Sequence, residues 1–217
     1  MSNRFMRKLF IVFAFFTISI YKGNAQNAKV VSECTVVYEV LVDASKADPQ
    51  VIKAMAGATK VLYIKGSKTR SELISPNFQQ AVIYDSKTDS TIVLREFRNS
   101  KYISFLNEDK RNEKNKKFEG INFRNTNETK TILGYDCKKV IATLKDSSTY
   151  TMFYTPSIIP SNKDYEYQFK DLPGFVLEYE AESENGKWKA KYIAAKITFT
   201  PVASSVFDVP KSGYRVL

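Results

Sequence analysis

The sequence contains no histidine among its 217 residues. That removes Ser-His-Asp and Cys-His catalysis, imidazole metal sites and imidazole pH switches together. With two cysteines, Cys34 and Cys137, a thiolate-only zinc site lacks ligands. Eight glycines are scattered without a phosphate-cradling loop: Gly57 and Gly66 stand alone, and Leu133-Gly134-Tyr135 and Leu172-Pro173-Gly174 read as turns. The Asx-rich stretch 122–127 lacks calcium-loop spacing. No cofactor or metal is therefore expected. The longest apolar run, Leu9 to Ile20, is also too short to cross a bilayer, since twelve residues rise only about 18 Å.

That run is instead the middle of a three-part pattern. Arg4, Arg7 and Lys8 precede it, and Gly23-Asn24-Ala25 supplies small residues before Gln26. This is the arrangement of a cleavable secretory signal peptide, so residues 1–25 are expected to be removed and 26–217 to form one exported domain. The destination is the periplasm, the outer surface or the medium, with no transmembrane segment left after cleavage. The signal carries Arg4, Arg7, Lys8 and Lys22 and no acid, so four of the ten net positive charges leave with it. The rest are interleaved with acids. In 107–117 five positive and three negative charges share eleven residues, which reads as a solvated loop. Nucleic acid is set aside as a partner.

An exported chain meets an oxidising compartment, so Cys34 and Cys137 are able to pair. The closed loop of about a hundred residues would stabilise by roughly 4 to 5 kcal/mol in the chain-entropy account. The other reading is two unpaired, buried thiols.

Most of the mature chain alternates with period two. Cys34, Val36, Tyr38 and Val40 share one parity and Glu33, Thr35 and Glu39 the other, a half-buried strand. Strand patterns follow over 60–65, 69–74, 80–85, 90–96, 101–106, 129–133, 138–145 and 149–155, joined by short turns that favour antiparallel neighbours. One helix is clear, with Asp48 as N-cap, Pro49 in the first turn and Gly57 as the stop. Near the end, 175–182 and 187–200 flank Asn185-Gly186, a two-residue hairpin signal. Its register sets Glu184 against Lys187, Glu182 against Lys189, Ala181 against Ala190, Glu180 against Lys191 and Tyr179 against Tyr192. A slip of one residue would drive charges into the apolar layer. The pattern by itself gives a mainly β fold, a predominantly antiparallel sheet, strongly curved or closed, with a helix across one face.

Two clusters invite functional readings. Glu178, Glu180, Glu182 and Glu184 supply the carboxylates a glycoside hydrolase would need, but most lie opposite lysines in the hairpin. The aromatics of apolar parity are first of all core. Alternatively, Tyr38, Tyr84, Tyr179 and Trp188 line a hollow that Val51, Ile52 and Met55 of the helix cover.

The ordered strings Thr131-Ile-Leu-Gly-Tyr-Asp-Cys-Lys-Lys139, Met152-Phe-Tyr-Thr-Pro156, Asp171-Leu-Pro-Gly-Phe-Val-Leu-Glu178 and Ser205-Val-Phe-Asp-Val-Pro210 resemble a group of exported bacterial families without assigned activity. One is named GLPGLI after its loop, and others are related domains of unknown function. Where that loop reads Gly-Leu-Pro-Gly-Leu-Ile, this chain has Asp171-Leu-Pro-Gly-Phe-Val176. The resemblance implies the half-barrel of LolA-type lipoprotein carriers, a curved antiparallel sheet with one or two helices across its concave face, and supplies no catalytic residues. The leading expectation is a non-enzymatic exported protein that takes an apolar or lipid-like ligand. A structural module that binds another envelope protein is the alternative, and a carboxylate hydrolase the third.

Overall fold

The computed structural model describes residues 28–183, 186 and 188–217. The signal pattern of 1–25 and the pairing of Glu184 with Lys187 lie outside them. In chain order come β1 (Lys29–Val31), β2 (Glu33–Val42), α1 (Pro49–Met55), β3 (Thr59–Lys65), β4 (Lys68–Ser75), β5 (Phe78–Asp85), β6 (Ser90–Phe97), β7 (Ser100–Leu106) and α2 (Glu108–Asn115). There follow β8 (Asn122–Ile132), β9 (Tyr135–Thr143), β10 (Thr149–Thr155), β11 (Ile158–Pro160), β12 (Phe175–Glu182), β13 (Lys189–Thr198) and β14 (Arg215–Val216).

Twelve strands form one curved, unclosed sheet in the order β14-β7-β6-β5-β4-β3-β2-β13-β12-β10-β9-β8. Every pairing in it is antiparallel except that of β14 with β7, while β1 and β11 make a small parallel ribbon. The mainly β, curved antiparallel sheet expected from the sequence is the observed fold, and it is open rather than closed. Tyr179 faces Tyr192, Glu180 faces Lys191, Ala181 faces Ala190 and Glu182 faces Lys189, as the Asn-Gly turn predicts. The meander β3 to β7 arises from tight hairpins whose register keeps one parity inward across all five strands.

The concave face carries the main core. Cys34, Val36 and Tyr38 of β2 meet Leu62 and Ile64 of β3 and Phe175, Leu177 and Tyr179 of β12. Over these strands lies the segment 158–172, which brings Ile158, Tyr165, Phe169 and Leu172 into the hollow. Gly174 ends that segment against β10. A Cβ there would sit 2.2 Å from the Thr155 carbonyl oxygen, so only glycine lets the backbones approach so closely.

The convex face is covered as well, by the chain after β13. Val202 and Phe207 pack on Ala81, Ile83, Leu94 and Ile103, the outward parity of β5, β6 and β7. The alternation reading assigned these strands one buried face. The C-terminal segment gives them two, and it has too little period of its own to announce that role. Polar contacts fix it: Val202 N–H donates to Glu33 Oε2 (2.8 Å), Lys65 Nζ donates to the Val202 carbonyl (2.7 Å), and the Tyr214 hydroxyl donates to Glu96.

The larger correction concerns 107–117. This stretch is not a loop but contains α2, with the Asn107 side chain accepting from Lys110 N (3.1 Å), Glu108 and Asp109 in the first turn and Lys114 in the last. Capping and charges matched to the helix dipole stabilise it without an apolar stripe, so periodicity had no signal to register.

Cys34 and Cys137 are both free and buried. They sit on β2 and β9 with β13, β12 and β10 between them, on the order of 19 Å along the sheet at ordinary strand spacing. A disulfide needs Cα atoms within roughly 7 Å. Desolvation pushes the Cys34 thiol up to about 12 and Cys137 to about 11, so neither offers thiolate at neutral pH. Titration with a thiol reagent is expected to find two thiols after denaturation without reductant, and little reaction in the native protein; a count of zero would establish the bridge.

The C-terminal anchors predict an acid limb. The Val202 N–H and Lys65 hold the Glu33 carboxyl below its ordinary 4.5, and Lys101 and the Tyr214 hydroxyl do the same for Glu96. A lowered folded value contributes stability above the unfolded value and loses it as pH falls through the folded one. Glu33→Gln/Glu96→Gln is expected to flatten the loss of stability below about pH 4.5, read as the denaturant midpoint against pH.

Candidate functional site

The concave face divides into a filled half and an open half, and side-chain size explains the division. On β2, β12 and β13 the inward positions hold Tyr38, Leu177, Tyr179 and Tyr192. Tyr179 stacks on Tyr192 at 4.6 Å, meets Phe169 edge-on at 5.0 Å and Tyr38 at 5.9 Å. Tyr165 stacks on Phe175 at 4.8 Å, and its hydroxyl accepts from Val176 N. On β4 to β6 the same parity holds the short Thr69, Ser71, Val82, Thr91 and Val93 beside the longer Gln80, Tyr84 and Arg95. The short side chains leave the hollow unfilled, and a cavity of about 580 Å³ remains. That lies within the usual range for small-molecule sites, roughly 300–1,000 Å³.

The boundary between the halves is a buried ion pair. Lys60, 8% exposed on β3, pairs with Glu166 of the covering segment and donates to the Tyr179 hydroxyl (2.6 Å). Its ammonium also lies 5.1 and 5.5 Å from the ring centroids of Tyr179 and Tyr192. The segment is thus tied to the sheet at the cavity wall, where Asp164 to Tyr167 contribute to the lining.

The opposite wall is α2. Arg111 lays its guanidinium over the Tyr84 ring, 4.8 Å from the centroid, and pairs with Asp89 in the β5–β6 turn. Asp89 adopts a left-handed backbone (φ 50°), which aspartate tolerates, and this aims its carboxylate to accept from the Tyr84 hydroxyl as well (3.1 Å). Desolvation pushes Tyr84 up to about 12, so it stays neutral. The lining holds five cationic side chains, Lys60, Arg95, Arg111, Lys114 and Lys117, against two acidic ones, Asp164 and Glu166. Two donors along it are buried without a partner among the described residues, Thr91 Oγ1 and Arg111 Nε.

Of the residues expected to line a hollow, Tyr84 does. Tyr38 and Tyr179 belong to the packed aromatic core. Met55 is buried and Val51 half-buried beneath α1, packed with Val40, Ala190 and Trp188 beside the filled half, and Ile52 is half-buried on the same helix. Sequence reasoning missed Thr91, Arg111 and Lys114. The signal available for the last two was the Asn107 cap followed by acidic then basic residues.

The hairpin carboxylates are engaged separately. Glu178 is buried and pairs with Lys130 of β8, Glu180 accepts from Thr151 N (2.9 Å), and Glu182 accepts from the Tyr150 hydroxyl (3.1 Å). Glu178 faces Ile193 rather than a lysine across the hairpin, and Lys130 and Lys191 approach its carboxylate. None of the three lines the cavity.

Residues 50–214 match a family described as "Domain of unknown function (DUF4412)". No curated protein matches the sequence. Among solved structures, PNGF-II is 14% identical with a TM-score of 0.48 over 86% of this chain and 31% of its own, so this chain spans about a third of that protein. MucB is 10% identical with a TM-score of 0.42, over 83% of this chain and 58% of its own. A domain ascribed to outer membrane lipoprotein sorting in Vibrio parahaemolyticus is 9% identical with a TM-score of 0.23, over 85% and 92%.

Breaking the wall pair should be costly in either direction. Lys60→Met or Glu166→Leu alone is expected to destabilise by about 3–5 kcal/mol, because each leaves a buried charge unpaired. The double variant should cost much less than the sum, as a double-mutant cycle by denaturant unfolding will read.

Proposed function

The chain belongs to the DUF4412 family, a domain of unknown function, and on that premise we propose that it is a non-enzymatic protein of the bacterial envelope or medium that takes a lipid-like molecule into its concave cavity. The observation that carries this reading is the cavity itself, about 580 Å³ between the sheet, α2 and the segment around Glu166. Val82, Val93, Leu106 and the rings of Tyr84 and Tyr165 offer apolar wall, while charged groups from α2 and Glu166 contribute polar wall. One apolar lining with a few convergent polar groups suits an amphipathic guest.

Export is supported by the three-part pattern of residues 1–25. Among the described residues no helix is long and apolar enough to cross a membrane, which accords with a domain delivered whole to the far side. The absence of histidine and the separate engagement of Glu178, Glu180 and Glu182 support a binding role over a hydrolytic one. The ordered motifs from Thr131 to Pro210 further support kinship with the GLPGLI-type families.

Native mass spectrometry of protein purified from the envelope tests the reading. The expected result is a lipid-sized adduct that organic extraction removes and that Val82→Trp, which fills the cavity, abolishes without unfolding the sheet. Repeatedly empty protein would favour the alternative, a structural module that engages another envelope protein through an edge strand such as β8.

A further inference from the structure

We infer that the cavity seats the acidic end of an amphiphile, a carboxylate or phosphate oxyanion held between Thr91 on β6 and Arg111 on α2. The inference rests on the cavity being the binding site for a lipid-like molecule and names the chemistry of that molecule's head.

The argument begins with unsatisfied donors. Thr91 is 6% exposed, and its hydroxyl has no partner among the described residues. The same holds for Arg111 Nε, on a side chain 17% exposed. Leaving such a group buried and unpaired is costly, more so when it is charged. Thr91 and Arg111 both line the one cavity, and Tyr84 links them, pairing with Thr91 in the sheet and carrying the Arg111 guanidinium on its ring. Arginine offers donors and no acceptor, so the missing partner is an acceptor.

Charge selects among acceptors. The two acids of the lining face five cations, and Glu166 is already paired with Lys60. Asp89, outside the lining, is divided between Arg111 and the Tyr84 hydroxyl. Lys114 lies one turn from Arg111 on the same wall and adds positive potential there. An ammonium head would meet like charge, and a neutral hydroxyl would satisfy one donor without using the field. An oxyanion does both, and a charge-assisted hydrogen bond is roughly twice as strong as a neutral one. The stacking of Arg111 on Tyr84 and its pairing with Asp89 fix the guanidinium before the ligand arrives, which lowers the ordering cost of binding. Val82 and Val93, the next pair of the same parity along β5 and β6, also line the cavity and offer apolar wall to the chain that follows the head.

Isothermal titration calorimetry of the delipidated protein with octanoate, octyl phosphate, octanol, octylammonium, acetate and inorganic phosphate tests this. Octanoate or octyl phosphate is expected to bind at least tenfold more tightly than octanol, and octylammonium most weakly. The ratio of the two acids identifies the head. Thr91→Val, which removes only the hydroxyl, and Arg111→Met should each weaken the better acid severalfold and leave octanol unchanged; the valine variant keeps the test open if loss of Arg111 unfolds the helix. Octanol binding as tightly as both acids, or acid binding indifferent to both substitutions, overturns the oxyanion seat while lipid binding stands. Acetate or phosphate matching its octyl counterpart overturns the lipid reading and keeps the seat. No titratable heat from any of the six overturns both.

Discussion

The buried pair of Lys60 and Glu166 is the contact on which the arrangement of the concave face turns. A lysine 8% exposed is held by a carboxylate and a phenol oxygen beside the Tyr192 ring, so its desolvation is offset. Glu166 reaches it from the segment that carries Tyr165 and Phe169 into the core. The pair therefore fixes where this segment stops. On one side aromatic packing is continuous from Tyr38 to Phe175; on the other, short side chains of β4 to β6 leave open volume. Core and cavity are two parts of one inward face, separated by a single charged contact.

That geometry also explains how a meander of modest strands holds together. Strands β5 and β6 are covered on both faces, by the hollow's walls inside and by Val202 and Phe207 outside. Glu33 and Glu96 tie the outer covering down through the Val202 amide and the Tyr214 hydroxyl. The C-terminal segment thus compensates for a concave surface that is not filled: apolar burial missing on the inside is supplied on the outside.

Legibility in the sequence followed the range of the interaction involved. The β12–β13 register was readable because the Asn185-Gly186 string signals a tight turn and Glu–Lys pairs punish a slip, all within a few residues. The start of α1 was readable because Asp48 caps it locally. By contrast α2 has no apolar stripe, and its residues read as a solvated charge run until the Arg111 guanidinium is seen on Tyr84. Glu178 faces Ile193 across the hairpin, so its pairing with Lys130, 48 residues away in sequence, had no local signal. The aromatics read equally as core or as cavity lining, because the choice between these is not local: Tyr38 and Tyr179 lie in the core and Tyr84 lines the cavity.

The missing histidine bore on function in the same one-dimensional way, since a residue that is absent can act nowhere in the fold. The sequence by itself determined the class of the fold, its strand periods and the reactions closed to it, because composition, alternation and turn chemistry act between near neighbours. Only the tertiary structure decided that both cysteines stay apart, that a charged stretch becomes the wall of a cavity, and that the inward face is half core and half hollow. Those outcomes depend on which distant segments meet across a curved sheet, a relation set by the summed packing of the whole chain.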